Sequence, residues 1–209
     1  MTSQTTVKTL LILGASGDLT GRLLLPGLAR LVARGRADGL TLAGAGSDPW
    51  TPEQWLGRIE ESFADEDSTA DAHGKRELKR VRQESTYHQL DVTAEGQLAG
   101  LLAQLAGPVA VYFALPPRVS QLACEALAPE DVPAGTRLVM EKPFGSDEQS
   151  ARQLNTTLAA LVPEDHIHRV DHFLGKATVL NILGLRFANT FLEPVWNRQN
   201  IEKVEIIFD

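Results

Sequence analysis

The sequence predicts an α/β fold in which helices cover both faces of a doubly wound, mostly parallel sheet. Short apolar runs that are typical of buried strands alternate with segments in which apolar residues recur at helical spacing. A glycine-rich turn, GASGDLTG at residues 14–21, directly follows the first of these runs. A chain of 209 residues is also long enough to bury the core that such a sheet requires.

Each element follows from its own pattern. The expected strands are at residues 7–13, 40–45, 87–90, 109–115, 136–140 and 166–170. The expected helices are at residues 19–33, 51–63, 74–83, 95–105, 119–127 and 146–161, the last capped by Ser146, with the acidic stretch 64–72 as a loop. This alternation predicts a Rossmann-like, dinucleotide-binding domain over residues 1–172.

The pattern changes after residue 172. A helix is expected at residues 174–187, followed by a loop that contains proline and tryptophan and by a last strand at residues 204–208. A strand with nothing after it suggests that residues 173–209 form the beginning of a truncated second α+β domain.

Composition narrows the classes of function. The net charge of −7 disfavours a nucleic-acid-binding protein, which usually presents a basic face. No apolar run approaches the length of a membrane span and no secretory signal pattern opens the chain, so we expect no membrane partner and a cytoplasmic location. The single cysteine, Cys124, excludes an intrachain disulfide and a cysteine metal site, and we expect no bound metal.

The glycine turn has the features of a phosphate-binding loop. Backbone N–H groups at the start of a helix, together with the helix dipole, favour a pyrophosphate. Gly14 permits a tight turn, and Gly17 lets the backbone approach a ligand closely. The spacing is G-x-x-G-x-x-x-G rather than G-x-G-x-x-G, with Ser16 where the second glycine would fall. The alternative is a plain strand–turn–helix connection, and the β/α alternation favours nucleotide binding.

Three further motifs follow strands, at the edge where ligands lie in open α/β sheets. YFALPP occupies residues 112–117, and EKPFG at residues 141–145 places the ammonium group of Lys142 at this edge. In RVDHFLGK, at residues 169–176, His172 and Lys176 are four residues apart and are expected to share one helical face toward a phosphate. Asp171 is suited to orienting a histidine, pairing with Arg169 or capping the helix.

Together and in this order, these stretches resemble glucose-6-phosphate dehydrogenases, as do RLLLP at residues 22–26, LRFAN at residues 185–189 and PVWNRQNIEKV at residues 194–204. The resemblance implies an oxidoreductase that oxidises glucose 6-phosphate at C1 to 6-phosphogluconolactone, with hydride transfer to NADP or NAD. It also implies the first oxidative step of the pentose phosphate pathway and a homo-oligomer for the intact enzyme.

The resemblance also implies roles for individual residues. It places Tyr112 in the cofactor pocket and Lys142 between cofactor and sugar. It gives His172 and Lys176 to the sugar phosphate and nearby hydroxyls, and it makes Asp171 the carboxylate that orients a catalytic histidine base. It assigns the cofactor pyrophosphate to Gly14, Ala15, Ser16, Gly17, Asp18, Leu19, Thr20 and Gly21.

The cofactor half departs from the family pattern after the second strand. NADP-specific members carry an arginine there, whereas this chain has Gly46 in the run GAGSD. A 2′-phosphate needs a cation, and Asp48 suits a free ribose 2′-hydroxyl instead. Arg22, at the start of the first helix, remains a candidate cation for the phosphate. NADP or NAD is therefore expected, and we hypothesise that NAD is used at least as well as NADP.

The sugar half departs as well. Phe173 stands where the family has a tyrosine, and Ala177 stands where it has a glutamate. None of the five histidines occupies the position of the family's general base, so we expect the 209-residue chain alone to be inactive. The alternatives are a non-catalytic nucleotide-binding paralogue, acting as a sensor or assembly partner, and a related Rossmann-type sugar dehydrogenase.

Overall fold

The computed structural model of the chain describes residues 7–205 and residue 207. These residues form two compact units, the first ending at Val170 and the second beginning at Asp171. No helix among the described residues is both long and apolar enough to cross a membrane.

The first unit is built on one six-stranded sheet in which every neighbouring pair of strands is parallel. The strand order is β3-β2-β1-β4-β5-β6, so the order reverses between β1 and β4. This is the doubly wound topology, and the predicted Rossmann-like fold is confirmed. The strands are β1 (Thr9–Leu13), β2 (Thr41–Gly46), β3 (Thr86–Gln89), β4 (Val109–Phe113), β5 (Arg137–Glu141) and β6 (Ile167–Val170).

Helices cover both faces of this sheet. Successive residues of a strand point to opposite faces, and in β1 Ile12 packs on one side while Leu11 and Leu13 pack on the other. The helices of the first unit are α1 (Leu25–Ala33), α2 (Pro52–Thr69), α3 (Ala72–Glu84), α4 (Gln97–Leu102), α5 (Pro117–Glu125) and α6 (Glu148–Leu161). The helices α1 to α3 cover the Ile12 face, and α4 to α6 cover the opposite face. Helices therefore cover both faces of the central strands β1 and β4, which explains why these strands are mostly apolar.

The second helix is longer than its sequence pattern predicts. The acidic stretch expected as a loop is helical as far as Thr69, because neighbouring helices supply its counter-charges. Glu66 forms an ion pair with Arg30 of α1 at 3.0 Å, and Asp67 forms one with Arg82 of α3. The expected loop over residues 64–72 was therefore wrong for most of its length.

The start of α6 also differs by one residue from the prediction. Asp147, not Ser146, is the N-cap residue, and its carboxylate accepts a hydrogen bond from the backbone N–H of Ser150 at 2.8 Å. An aspartate is as good a cap as a serine, so sequence alone could not choose between the two neighbours.

The second unit contains one regular helix, α7 (Ala177–Phe187), among its described residues. A short 3₁₀ turn, His172–Gly175, precedes it, so the helix expected from residue 174 begins three residues later. A second 3₁₀ turn covers Glu193–Val195. Of the strand expected at residues 204–208, residues 206 and 208 lie outside the described part of the chain, and residues 204, 205 and 207 are not in a strand.

Candidate functional site

The glycine loop lies at the point where the strand order reverses. Gly14 has a φ of +82°, and a Cβ added to it would lie 2.3 Å from the carbonyl oxygen of Ala114, just after β4. The backbone N–H groups of Gly14 and Ala15 both donate to the carbonyl oxygen of Ala45, at 2.8 and 3.0 Å. The loop is thus held between the ends of β2 and β4, and only glycine fits at its first position.

The helix that follows the loop begins at Asp18, and its next turn, Thr20–Leu24, is a π-helix that leads into α1. The buried hydroxyl of Thr20 donates to the carbonyl oxygen of Gly14 at 3.0 Å, which fixes the loop against the helix. The first N–H groups of a helix have no intrahelical acceptor and lie at the positive end of its dipole. The loop and first turn therefore fit a pyrophosphate.

The end of β2 brings an acid to the same loop. The hydroxyl of Ser16 donates to the carboxylate of Asp48, and the hydroxyl of Tyr87 donates to the backbone carbonyl of Asp48 at 2.8 Å. Gly46 is buried between them, since a Cβ added to it would lie 3.2 Å from the Tyr87 hydroxyl and 3.6 Å from the Ser16 hydroxyl. The pKa of Tyr87 is raised by burial and by the Asp48 charge.

Two arginines lie near the loop. Arg22 forms an ion pair with Asp18 one turn away, at 3.0 Å, and both side chains are 75% exposed. Arg58 of α2 donates to the carbonyl oxygen of Ser16 at 3.4 Å, and its guanidinium carbon lies 5.3 Å from the centre of the Trp50 ring. Arg58 was not predicted as a site residue, because nothing in the local pattern of α2 shows that it reaches the loop.

A second pair of residues meets at the ends of β4 and β5. The hydroxyl of Tyr112 donates to the carboxylate of Glu141, and burial together with this carboxylate raises the pKa of Tyr112. Glu141 immediately precedes Lys142, whose peptide bond to Pro143 is cis. Glu141 was not predicted either, although its place in EKPFG after a buried strand was the available signal.

A cavity of about 320 Å³ opens between the segments that follow β4 and β5. Residues of the YFALPP and EKPFG stretches contribute to its wall. Its lining residues are Pro116, Pro117, Arg118, Gln121, Gly145, Ser146, Ser150 and Leu154. The two motifs thus adjoin one space at the carboxyl edge of the sheet.

In the second unit, three predicted residues contact Phe173, one through its backbone and two through its ring. The carboxylate of Asp171 accepts a hydrogen bond from the backbone N–H of Phe173 at 3.0 Å and so caps the 3₁₀ turn. The ring of His172 lies 4.5 Å from the Phe173 ring, and the ammonium of Lys176 lies 4.7 Å from the centre of that ring.

The expectation that His172 and Lys176 share a helical face was wrong. His172 belongs to the 3₁₀ turn, whereas Lys176 has extended backbone, with φ of −78° and ψ of 134°, between that turn and α7. The capped turn closes through i+3 hydrogen bonds at Leu174 and Lys176, which ends helical geometry before Lys176.

Comparison with known proteins identifies the family. Residues 11–181 match the family described as the NAD-binding domain of glucose-6-phosphate dehydrogenase. The chain belongs to this family. The match covers the glycine loop, YFALPP, EKPFG and the DHFLGK stretch together.

Individual relatives give the same result. The chain is 34% identical over 215 residues to the cytoplasmic glucose-6-phosphate 1-dehydrogenase 6 of Arabidopsis thaliana, covering 95% of this chain and 42% of the relative. It is 35% identical over 218 residues to the glucose-6-phosphate 1-dehydrogenase of Bacillus subtilis strain 168, covering 98% of this chain and 43% of the relative. The chain therefore spans less than half the length of these relatives.

A solved structure supports the fold at the level of coordinates. A glucose-6-phosphate dehydrogenase in complex with its substrate glucose 6-phosphate superimposes with a TM-score of 0.74 at 28% sequence identity. The superposition covers 95% of this chain and 43% of that one.

In this member of the glucose-6-phosphate dehydrogenase family, the predicted site residues form two groups, one in each unit. Within the first unit, residues 14–21 form one loop and first turn, and Tyr112 bonds to the residue before Lys142. Within the second unit, Asp171, His172 and Lys176 lie around Phe173. Among the described residues there is no group of three His, Cys, Asp or Glu side chains able to hold a metal ion.

Proposed function

We propose that this chain is the coenzyme-binding part of a glucose-6-phosphate dehydrogenase that oxidises C1 of glucose 6-phosphate with NAD or NADP. One observation carries the proposal: a glycine loop, admitting only glycine at Gly14, sits where the strand order of a parallel sheet reverses. Dinucleotides bind at this point in doubly wound folds. Membership of a family described as an NAD-binding domain supports the same coenzyme class.

The coenzyme roles are assigned to the dinucleotide-binding domain, over residues 1–172. Residues 14–21 hold the pyrophosphate through backbone N–H groups at the helix start. Tyr112 lines the nicotinamide half of the pocket with its ring, since its hydroxyl proton is already donated to Glu141. Lys142 places its ammonium between coenzyme and sugar, where it binds an oxygen that gains negative charge during oxidation.

The sugar roles are assigned to the DHFLGK stretch. His172 and Lys176 bind the phosphate and adjacent hydroxyls, and the Asp171 carboxylate orients the histidine base that takes the C1 hydroxyl proton. As that proton leaves, the C1–H bond breaks, a C1=O bond forms and the lactone is released. When bound, the oxidised nicotinamide accepts the hydride. This base is assigned to none of the five histidines of these 209 residues.

The setting of the enzyme is also part of the proposal. A structurally similar glucose-6-phosphate dehydrogenase binds glucose 6-phosphate as its substrate, and the Arabidopsis relative is named as cytoplasmic. We assign this chain to the cytoplasm, to a homo-oligomeric enzyme and to the oxidative start of the pentose phosphate pathway. The charge of −7 supports a protein without nucleic-acid or membrane partners.

Coenzyme binding is tested by titrating the purified protein with NAD and with NADP in a calorimeter. Gly17→Ala adds a methyl group 3.1 Å from the Gly14 carbonyl oxygen at the pyrophosphate site. It is expected to weaken both coenzymes about tenfold, equivalent to about 1.4 kcal/mol. Gly27→Ala is the matched control, because its Cβ meets nothing within 4 Å, and it should leave both affinities unchanged. Binding of neither coenzyme by the wild type would refute the proposal.

The dehydrogenase assignment is tested on the full product of the gene that encodes these residues. Reduced nicotinamide formation is followed with glucose 6-phosphate as substrate. Lys176→Gln is expected to raise the KM for the sugar about tenfold or more by removing a charged phosphate ligand. Arg186→Gln in α7 removes the same charge within the same unit and should leave KM unchanged. Coenzyme binding without turnover would favour the non-catalytic paralogue instead.

A further inference from the structure

We propose that Asp48 makes this chain select NAD over NADP, by accepting a hydrogen bond from the adenosine ribose 2′-hydroxyl and repelling a 2′-phosphate. The inference rests on the proposed function, because it concerns the same coenzyme site. It assigns a specificity-determining residue and a preferred coenzyme, where the family membership supports only a nicotinamide dinucleotide.

The position of Asp48 follows from strand pairing. Leu13 at the end of β1 lies beside Ala45 near the end of β2. The residues that follow the two strands therefore emerge together at the carboxyl edge, and the Ala45 carbonyl binds two N–H groups of the glycine loop. In dinucleotide-binding folds, an acid after this strand contacts the adenosine ribose. Asp48 is the acid that this chain places there.

One hydrogen bond holds the carboxylate of Asp48, and a second holds its backbone. The Ser16 hydroxyl donates to its Oδ2 atom, and the Tyr87 hydroxyl fixes its backbone carbonyl at 2.8 Å. An ionised carboxylate accepts several hydrogen bonds through its two oxygens, so Oδ1 keeps the capacity to accept a ribose hydroxyl. Tyr87 is in turn packed against Trp55, with ring centres 5.9 Å apart. The exposed Asp48 carboxylate is thus directed by Ser16 and keeps one oxygen for a ligand hydroxyl.

Each of the two arginines beside the loop already has a partner. Arg22 is bonded to Asp18, and Arg58 is bonded to the Ser16 carbonyl and lies over Trp50. Position 46 is a glycine and supplies no cation, and a Cβ added there would lie 3.2 Å from the Tyr87 hydroxyl. A 2′-phosphate, which carries between one and two negative charges, would meet the Asp48 carboxylate first. Its binding would require Arg58 to leave its contacts.

The test is a pair of calorimetric titrations, with NAD and with NADP, at low and high ionic strength. The wild type should bind NAD at least about tenfold more tightly, a difference of about 1.4 kcal/mol. Asp48→Asn keeps the shape and removes the charge, and it should reduce this ratio to about threefold or less by strengthening NADP binding. Glu60→Gln, at an exposed position of α2, removes the same charge and should leave the ratio unchanged. The wild-type ratio should also shrink at high salt.

Two further variants test whether the coenzyme preference comes from Asp48. Ser16→Ala releases the carboxylate and should lower the ratio in part, to an intermediate value. Arg58→Gln should change the affinities for NAD and NADP by the same factor, because the guanidinium contacts the loop and does not bind the 2′-phosphate in this proposal. Equal or tighter NADP binding by the wild type, an unchanged ratio in Asp48→Asn, or a selective loss of NADP affinity in Arg58→Gln would each overturn the inference while the proposed function stands. Failure to bind either coenzyme would overturn both.

Discussion

The two units place their apolar side chains in opposite ways. In the first unit, large residues such as Trp55 and Phe113 are completely buried between the sheet and its helices. In the second unit, α7 is rich in apolar residues but contains no buried residue, and Leu180 and Ile182 each keep about half of their surface exposed (50% and 51%). The comparison shows that helix formation and core formation are separate properties. Apolar segments form helices in both units, but only in the first unit are their side chains buried in a core.

The stabilising interactions differ accordingly. Helices of the first unit share two continuous clusters of buried side chains with the sheet. The described contacts of the second unit are local, such as the cap of the His172–Gly175 turn by Asp171. An isolated helix of 11 residues is marginal in water, so packing rather than propensity decides whether such a helix is stable.

The largest expected difference between the units comes from matched truncations of apolar side chains. Phe113→Ala removes a fully buried ring and should lower the free energy of unfolding by about 3–5 kcal/mol. Leu183→Ala, at a residue that is 47% exposed, should lower it by less than about 1 kcal/mol. Urea unfolding followed by circular dichroism measures both. Equal costs would show that α7 is as well packed as the sheet.

The next contrast uses the same substitution, glycine to alanine, which should change stability in opposite directions in the two units. Gly14→Ala forces a Cβ to within 2.3 Å of the Ala114 carbonyl oxygen at a φ of +82°, and it should destabilise the first unit by roughly 1–3 kcal/mol. Gly184→Ala in α7 meets nothing within 4 Å and should stabilise that helix by about 0.5–1 kcal/mol. Thermal unfolding and hydrogen exchange of α7 amides report the two effects. A stabilising Gly14→Ala would contradict the loop geometry.

A smaller contrast concerns helix caps. Thr51 accepts a hydrogen bond from the Gln54 backbone N–H and begins α2, so Thr51→Ala should cost about 1 kcal/mol, and Thr51→Ser should restore most of it. In the second unit, Asp171→Asn keeps a capping oxygen and should barely change stability. The same variant should lower turnover of the full gene product about a hundredfold if the carboxylate orients the base. If Asp171→Asn lowered stability but not turnover, Asp171 would cap the turn and would not orient the base.

The smallest expected effect is a pH dependence confined to the first unit. Burial lowers the pKa of His88 on β3 below its ordinary value of 6.5. The unfolded chain then binds a proton more readily than the folded one, so stability should fall as the pH drops through about 6.5 and level off below the folded pKa. His88→Gln should flatten this part of the profile of unfolding midpoint against pH. An unfolding midpoint that rises as the pH drops in the wild type, but not in the variant, would contradict a lowered pKa of His88.

Much of the fold could be predicted because its signals are local. Short extended segments, three of them followed directly by glycine or proline, predicted six strands that the structure confirms within two residues at each end. The glycine loop could be placed between strand and helix for the same reason. Each of these features depends on residues that are neighbours along the chain.

The remaining features depend on residues that are distant in sequence. The extension of α2 to Thr69 required Arg30 and Arg82 from other helices. Glu141 became a site residue only because Tyr112, 29 positions earlier, donates to it across the sheet. His172 and Lys176 do not share a helical face, since His172 lies in a 3₁₀ turn and Lys176 has extended backbone.

The amino-acid sequence by itself determined the parallel sheet, the glycine loop between β1 and the first helix, and the absence of an arginine at position 46. The tertiary structure alone decided how the charged groups near that position are held: Asp48 by the hydroxyl of Ser16, 32 residues away, and Arg58 over Trp50. Strand and turn propensities act over a few residues, whereas the charge that faces a ligand is set by strand register and helix packing.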